Sequence, residues 1–297
     1  MTMTPPEHLL RRFDRRSRRV LALALMLTLM MTGVAPAGAV ELTLTYELFV
    51  GGVHANDLSL TAEVTESRYR LASDSRTVGL IDAVVAFISR AASEGTIASG
   101  EVRPHTHRAD NDWHGDRRTV RIDYADPTRL LVAIEPSPAA DGRDPVPPEF
   151  MRETVDPLSA ALDIARHVVS GDRARTLPVF DGRRRYNLHL GPSTAASVEG
   201  PVYSGAARRL EITLERIAGF SSRPWLPRSD DPETVTVWFA TLADGLPPIP
   251  VRLDAVAVIA PVRLHLAGLA VGGRMVLGSP ADELSRPDSP EETSVSP

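Results

Sequence analysis

His105 and His107 stand two residues apart, so on a strand both imidazoles point the same way. Asp110, Asp112 and His114 follow closely enough to complete a mixed nitrogen and oxygen shell for a metal such as zinc. Against that chemistry stands the segment itself, which is rich in Arg and Asp and reads equally as a polar loop of solvated histidines. Arg183, Arg184 and Arg185 follow Asp181-Gly182. Three guanidinium forks suit a phosphate or carboxylate headgroup, but the Asp-Gly pair already has a turn to make, and the arginines could simply be exposed beside it. Trp225, within Arg223-Pro224-Trp225-Leu226-Pro227, is an aromatic in a proline-stiffened loop. It is either an apolar handle for a ligand or partner, or a plug folded back over one end of the domain. Asp156 precedes Pro157 and reads as a helix cap before it reads as a catalytic acid.

Composition removes much other chemistry. Cysteine is absent and all 33 basic residues are arginine, which excludes disulfides, thiolate nucleophiles, Cys-ligated zinc, Schiff-base lysines and the phosphate-loop lysine. No Gly-x-Ser-x-Gly elbow, His-Glu-x-x-His helix or dinucleotide fingerprint occurs, so no cofactor is expected and the balance tilts away from catalysis.

The positioning elements begin after a leader. Arg11, Arg12, Arg15, Arg16, Arg18 and Arg19 form a basic stretch, Val20 to Met31 an apolar run, and Ala37-Gly38-Ala39 a small-x-small cleavage site. The run is shorter than the ~20 residues a membrane span needs. Residues 1–39 are therefore expected to be a secretory signal for the general export route, leaving a periplasmic product that does not span a membrane. Six leader arginines oppose only Glu7 and Asp14, so of the net charge of −5 about −9 falls on residues 40–297. An acidic domain with scattered arginines is not expected to bind nucleic acid.

From Glu41 the pattern alternates: Leu42, Leu44, Tyr46, Leu48 and Val50 share one face of a half-buried strand. Gly51-Gly52 turns the chain, Leu58 to Val64 make a second strand, and Tyr69 and Leu71 open a third. Ile81, Val84, Val85, Ile88 and Ala92 then fall at helical spacing, with Gly95 placed to end that helix. Strands are expected at 120–124 and 130–134, followed by a proline-rich surface connection over 135–155. A second helix runs from Asp156-Pro157 to Gly171. Asp181-Gly182 predicts a tight hairpin, and further strands follow at 210–214, 235–239, 251–259 and 262–266. Val256 and Val258 make the other face of the 251–259 run apolar too, which predicts a strand covered on both sides. Ten to twelve short strands with two short helices predict a mainly β fold over residues 40–278, a large, strongly curved antiparallel sheet forming a partly open barrel or spiral. The acidic Pro/Ser stretch 279–297 is expected to be a disordered tail.

Tyr46-x-x-x-x-Gly51-Gly52, Tyr69-Arg70-Leu71-Ala72, Gly79-Leu80, Pro104, Asp156-Pro157-Leu158-Ser159-Ala160, Asp181-Gly182-Arg183-Arg184-x-Tyr186 and Ile217-Ala218-Gly219, in that order, resemble the exported bacterial family of domain of unknown function 3108. The likeness covers roughly residues 42–270. It implies a periplasmic, mostly antiparallel β-protein, similar in outline to envelope proteins whose sheet wraps around an amphipathic helix, and no established reaction. Members of that family often carry a cysteine just before the strand that here reads Arg209-Leu210-Glu211-Ile212; this chain has none. The resulting expectation is a non-catalytic envelope component that holds a partner protein or a lipid-like, amphipathic ligand on the concave side of its sheet. The alternative is a periplasmic hydrolase of glycan or peptide.

Overall fold

A computed structural model describes residues 40–170, 173–220, 234–256 and 260–278, all within the compact unit that begins at Ala39. Residues 1–39, expected to be a leader, residues 279–297, expected to be a tail, and Gly171, Trp225, Val258 and Ile259 lie outside the described residues. Fifteen strands form one antiparallel sheet: β1 (Val40–Val50), β2 (Val53–Val64), β3 (Arg68–Thr77), β4 (Phe87–Ala98), β5 (Glu101–Trp113), β6 (Asp116–Asp123), β7 (Leu131–Glu135), β8 (Arg175–Phe180), β9 (Arg185–Leu190), β10 (Thr194–Val198), β11 (Gly205–Ala218), β12 (Thr234–Ala240), β13 (Ile249–Val256), β14 (Pro261–Val271) and β15 (Arg274–Gly278). From edge to edge the order is β7-β6-β5-β4-β3-β2-β1-β14-β13-β12-β11-β9-β8, with β10 beside β11 and β15 beside β14. Among the described residues three α-helices accompany it: α1 (Gly79–Asp82), α2 (Pro148–Met151) and α3 (Pro157–Ser170). The mainly β, curved and unclosed sheet agrees with the alternating pattern of the sequence.

The first half is a meander because its tight turns carry residues that accept positive φ. Gly51-Gly52 and His114-Gly115 each join their strands in two residues, with φ of 59° and 85° in the first and 52° and 88° in the second. Asp181-Gly182 does not make such a turn. Phe180 pairs with Arg185, and the loop is four residues long because the Asp181 carboxylate accepts the backbone N–H groups of Arg183 and Arg184.

The helix expected over 81–92 is a single turn, α1, followed by strand β4. Val84 and Ile88, on that supposed helical face, are 72% and 43% exposed. Strand β4 is hydrogen-bonded on both edges, to β3 and β5, and its core-facing positions include Ser89, Ala91, Ser93 and Gly95, too small or polar to show a period of two. Sheet pairing overrides the accidental helical spacing. The 251–259 run also differs from expectation, for Val256 is 78% exposed rather than covered.

Helix α3 is the pillar inside the curl. Leu158 and Leu162 pack among Leu71, Ile97 and Val102 of the first half, while Ala160, Ile164 and Val168 pack on Leu177, Leu210 and Phe239 of the second. Core side chains and α3 thus fill the concave face. The two sheet edges come together as well. Phe180 at the end of β8 is fully buried against Val120 and Ile122 of β6, with Val146 from the 136–156 segment, so that proline-rich connection is a strap with a buried anchor. Val155 extends the strap along β8, its N–H donating to Pro178 O and its carbonyl accepting from Phe180 N–H. Arg183 closes the seam by donating to the carbonyls of Glu135 and Pro136 at 3.0 and 2.9 Å. Replacing Arg183 with alanine is expected to cost about 1–2 kcal/mol in chemical denaturation. Amide exchange in β7 and β8 should rise first if the clasp works this way; an unchanged exchange pattern would refute it.

Candidate functional site

The histidines expected to gather do not. A bulge between Glu94 and Gly95 leaves His105 as the extra residue of β5, so the strand changes phase there. His107 is buried, whereas His105 is exposed with only Thr96 Oγ1 at 3.4 Å, and His114 sits in the β5–β6 turn with Nε2 3.0 Å from Val84 O. Asp110 is bound by Arg117, and Asp112 accepts the Gly115 N–H. No group of three or more His, Asp or Glu placed to hold a metal occurs among the described residues.

The three arginines diverge in the same manner. Arg183 reaches the seam carbonyls, Arg184 pairs with Asp181 at 2.8 Å, and Arg185 donates to Phe150 O at 3.0 Å. They knit the hairpin to the strap and offer no shared anion site.

His107 instead joins Asp156 in a buried network that sequence reasoning missed. Asp156, at 0% exposure, caps α3: its Oδ1 accepts the N–H groups of Leu158 and Ser159 at 3.0 Å each, and its Oδ2 accepts Ser159 Oγ–H at 2.5 Å. Ser93 donates to Oδ1 at 2.6 Å, and His107 Nδ1 lies 2.8 Å from Ser93 Oγ and 3.2 Å from Asp156 Oδ1. Ser93 has one proton and gives it to the carboxylate, so Nδ1 carries a proton and donates. Tyr69 OH meets Ser159 Oγ at 2.7 Å, tying β3 to the same cap. Burial pushes the Asp156 carboxyl up, but the hydrogen bonds from His107, Ser159 and Ser93 outweigh it and hold the group below its ordinary value. Burial likewise pushes the hydroxyls of Tyr69 and Tyr124 far up, so both stay neutral beside this charge.

Ser, His and Asp in contact suggest nucleophilic catalysis, and the geometry argues against it. A hydrolytic serine and its acid use opposite nitrogens of the imidazole, whereas both Ser93 and Asp156 approach Nδ1 here. Ser93 is also almost fully buried, at 2% exposure. The cluster clamps α3 to β3, β4 and β5.

A roomy recess lies on the outer face of the sheet, where β1, β12, β13 and β14 turn alternate side chains away from the core. It is a cleft of about 850 Å³ lined by Phe49, Pro201, Val256 and Pro261 together with Glu47, Asp254, Arg263 and His265. The register explains this gathering: Phe49 pairs with Arg263, Glu47 with His265, and Asp254 with both Thr236 and Arg263. Phe49 stacks on His54 at 5.1 Å and meets the His265 ring edge-on at 6.1 Å. Asp254 is saturated by Arg252 and Arg263, with Nε–Oδ1 distances of 3.0 and 2.9 Å; although burial raises its carboxyl, these bonds hold it low. Burial, followed by the two guanidiniums, lowers His265, which is therefore a neutral imidazole near pH 7. The rim is charged yet internally compensated, and the walls are apolar. No sequence signal marks this cleft, because its residues come from four separate strands. Trp225, the expected handle, lies outside the described residues.

A family model described as "Protein of unknown function (DUF3108)" matches residues 45–267. No curated protein matches the chain. Among solved structures, the chain is similar to a beta-barrel-like protein of domain of unknown function DUF1849 from Brucella abortus, at 9% identity and a TM-score of 0.46, over 79% of this chain and 98% of that one.

Proposed function

We propose, from the premise that the chain belongs to the DUF3108 family of proteins of unknown function, that this member is a non-catalytic periplasmic binding protein that takes an amphipathic ligand into its outer cleft. One observation carries the reading: about 850 Å³ of recess with apolar walls at Phe49, Pro201, Val256 and Pro261 beside a compensated polar rim. Small-molecule sites have this anatomy, mostly apolar with a few fixed polar groups to orient the head. The concave face expected to hold the ligand is occupied by α3 and core side chains, so the site is assigned to the opposite side of the sheet. The leader-like residues 1–39 support the location, and no helix among the described residues is long and apolar enough to cross a membrane.

Native purification followed by solvent extraction and mass spectrometry tests this. The wild type is expected to return a bound amphipathic species, and Val256→Asp to retain roughly a tenth of it or less, since a charge would enter the apolar wall. At 78% exposure Val256 should tolerate the change within about 0.5 kcal/mol of stability, so lost ligand would not reflect unfolding. A wild type that returns nothing amphipathic, or a variant that keeps its load, ends the reading.

A further inference from the structure

Charges on the outer face of the first half are arranged in rows that cross the strands. One row runs Glu63, Arg70, Glu94, and a second runs Asp74, Arg90, Asp110, each alternating in sign from strand to strand. Arg70 lies 3.8 and 3.6 Å from its two glutamates, and Arg90 donates to Asp74 at 2.7 Å. The row between them is different. It reads Thr61, Ala72, Ala92, Arg108, Arg121, Ala133, with Arg108 directly opposite Arg121.

Both arginines are exposed, and neither makes a hydrogen bond or ion pair among the described residues. The neighbouring acids are engaged elsewhere: Asp110 by Arg117, Glu94 by Arg70, and Asp123 by the Ala125 N–H. Like charges directly opposite across a strand pair repel, and Asp110, already hydrogen-bonded by Arg117, offers Arg121 only a longer-range attraction. The alanines beside them leave open space as well. A hollow of about 500 Å³ extends toward Leu131 and Ala133, and one of about 440 Å³ toward Thr61 and Ala72; Arg108 and Arg121 line both.

We propose that Arg108 and Arg121 form a docking site for a phosphoryl group, the rest of its carrier lying over the alanine-floored hollows. A carboxylate has two oxygens and one fork satisfies it. A phosphoryl group presents three oxygens and up to two negative charges, and so engages two facing guanidiniums at once. Binding converts a repulsive pair into a bridged one. The site is separate from the cleft beside His265 and stands whether or not that cleft holds a ligand.

Calorimetric titration of the purified protein with inorganic pyrophosphate is expected to give saturable binding that weakens with added salt. Arg108→Gln and Arg121→Gln should each weaken it at least about tenfold. Both variants should melt at or slightly above the wild-type temperature without ligand, because the repulsion is gone. Two further arms identify the carrier. Sedimentation with vesicles containing phosphatidic acid but not with purely phosphatidylcholine vesicles assigns a lipid headgroup, and binding of glycerol phosphate without vesicle binding assigns a soluble ester. No saturable heat at millimolar pyrophosphate, or equal binding by the wild type and both variants, overturns the proposal.

Discussion

Asp156→Ala is expected to lower the unfolding free energy by about 3–5 kcal/mol, because several buried donors lose one charged acceptor at once and each such loss costs about 1–3 kcal/mol. The change strands His107, Ser93, Ser159 and two backbone N–H groups at once, all within hydrogen-bond distance of the carboxylate. For a domain of this size that corresponds to a fall in melting temperature of about 10 °C. Asp156→Asn keeps the volume and one acceptor oxygen and should cost less, about 1.5–3 kcal/mol, the worth of hydrogen bonds to a charged group. The pH dependence separates charge from shape. The folded carboxyl lies below its unfolded value of about 3.9, so the stabilisation is complete above roughly pH 4 and is lost as pH falls through the folded value. The wild type should show this acid limb in urea titrations at successive pH values, and Asp156→Asn should flatten it. Identical limbs in the two proteins would mean that the carboxylate is not ionised in the fold.

Gly95→Ala is expected to cost about 3 kcal/mol or more, at the upper end of overpacking substitutions. A Cβ there would lie 2.2 Å from Arg103 O, 2.6 Å from Tyr69 Oη and 2.8 Å from Pro104 Cα. Two of those atoms are backbone and cannot rotate away. The third belongs to the tyrosine that reaches Ser159, so the substitution should also loosen the grip of β3 on α3. Thermal melts read the cost. A Tyr69→Phe background separates the two effects, because removing the hydroxyl should relieve part of the Gly95→Ala penalty. Additive costs in the double variant would place the strain in the backbone of β5 alone.

The clear alternation of β1 through β3 was legible in the sequence because one face is core and the other solvent, the condition under which period two shows. Helix α3 was legible from the Asp156-Pro157 start and its apolar stripe. Strand β4 was not, since its inward side is Ser, Ala and Gly where β3 and α3 crowd in, and hydropathy cannot see a buried residue that is small. The phase change at His105 was equally invisible: a bulge depends on what the partner strand does at Gly95. Of the candidate site residues, Asp156 was read as a cap and is one, but its partners Ser93 and His107, and the Tyr69 that holds its neighbour Ser159, come from three different strands. Arg183 to Arg185 looked like a cluster because they are consecutive, and the loop sends them to three different acceptors. Arg108 and Arg121 face each other only through the β5–β6 register, which no linear spacing announces.

The junction of β1 with β14 has a consequence for how the molecule is made. Strand β1 gains one neighbour, β2, almost as soon as it is synthesised, but its other edge waits for the far end of the chain, with Val50 meeting Val262 and Leu42 meeting Val271. Until then Leu44, Tyr46 and Leu48 flank a row of unpaired backbone groups, the arrangement most apt to recruit a second chain. Closing so distant a contact is slow, and a nascent copy of this protein is therefore at its most vulnerable to mispairing just before the last strands arrive.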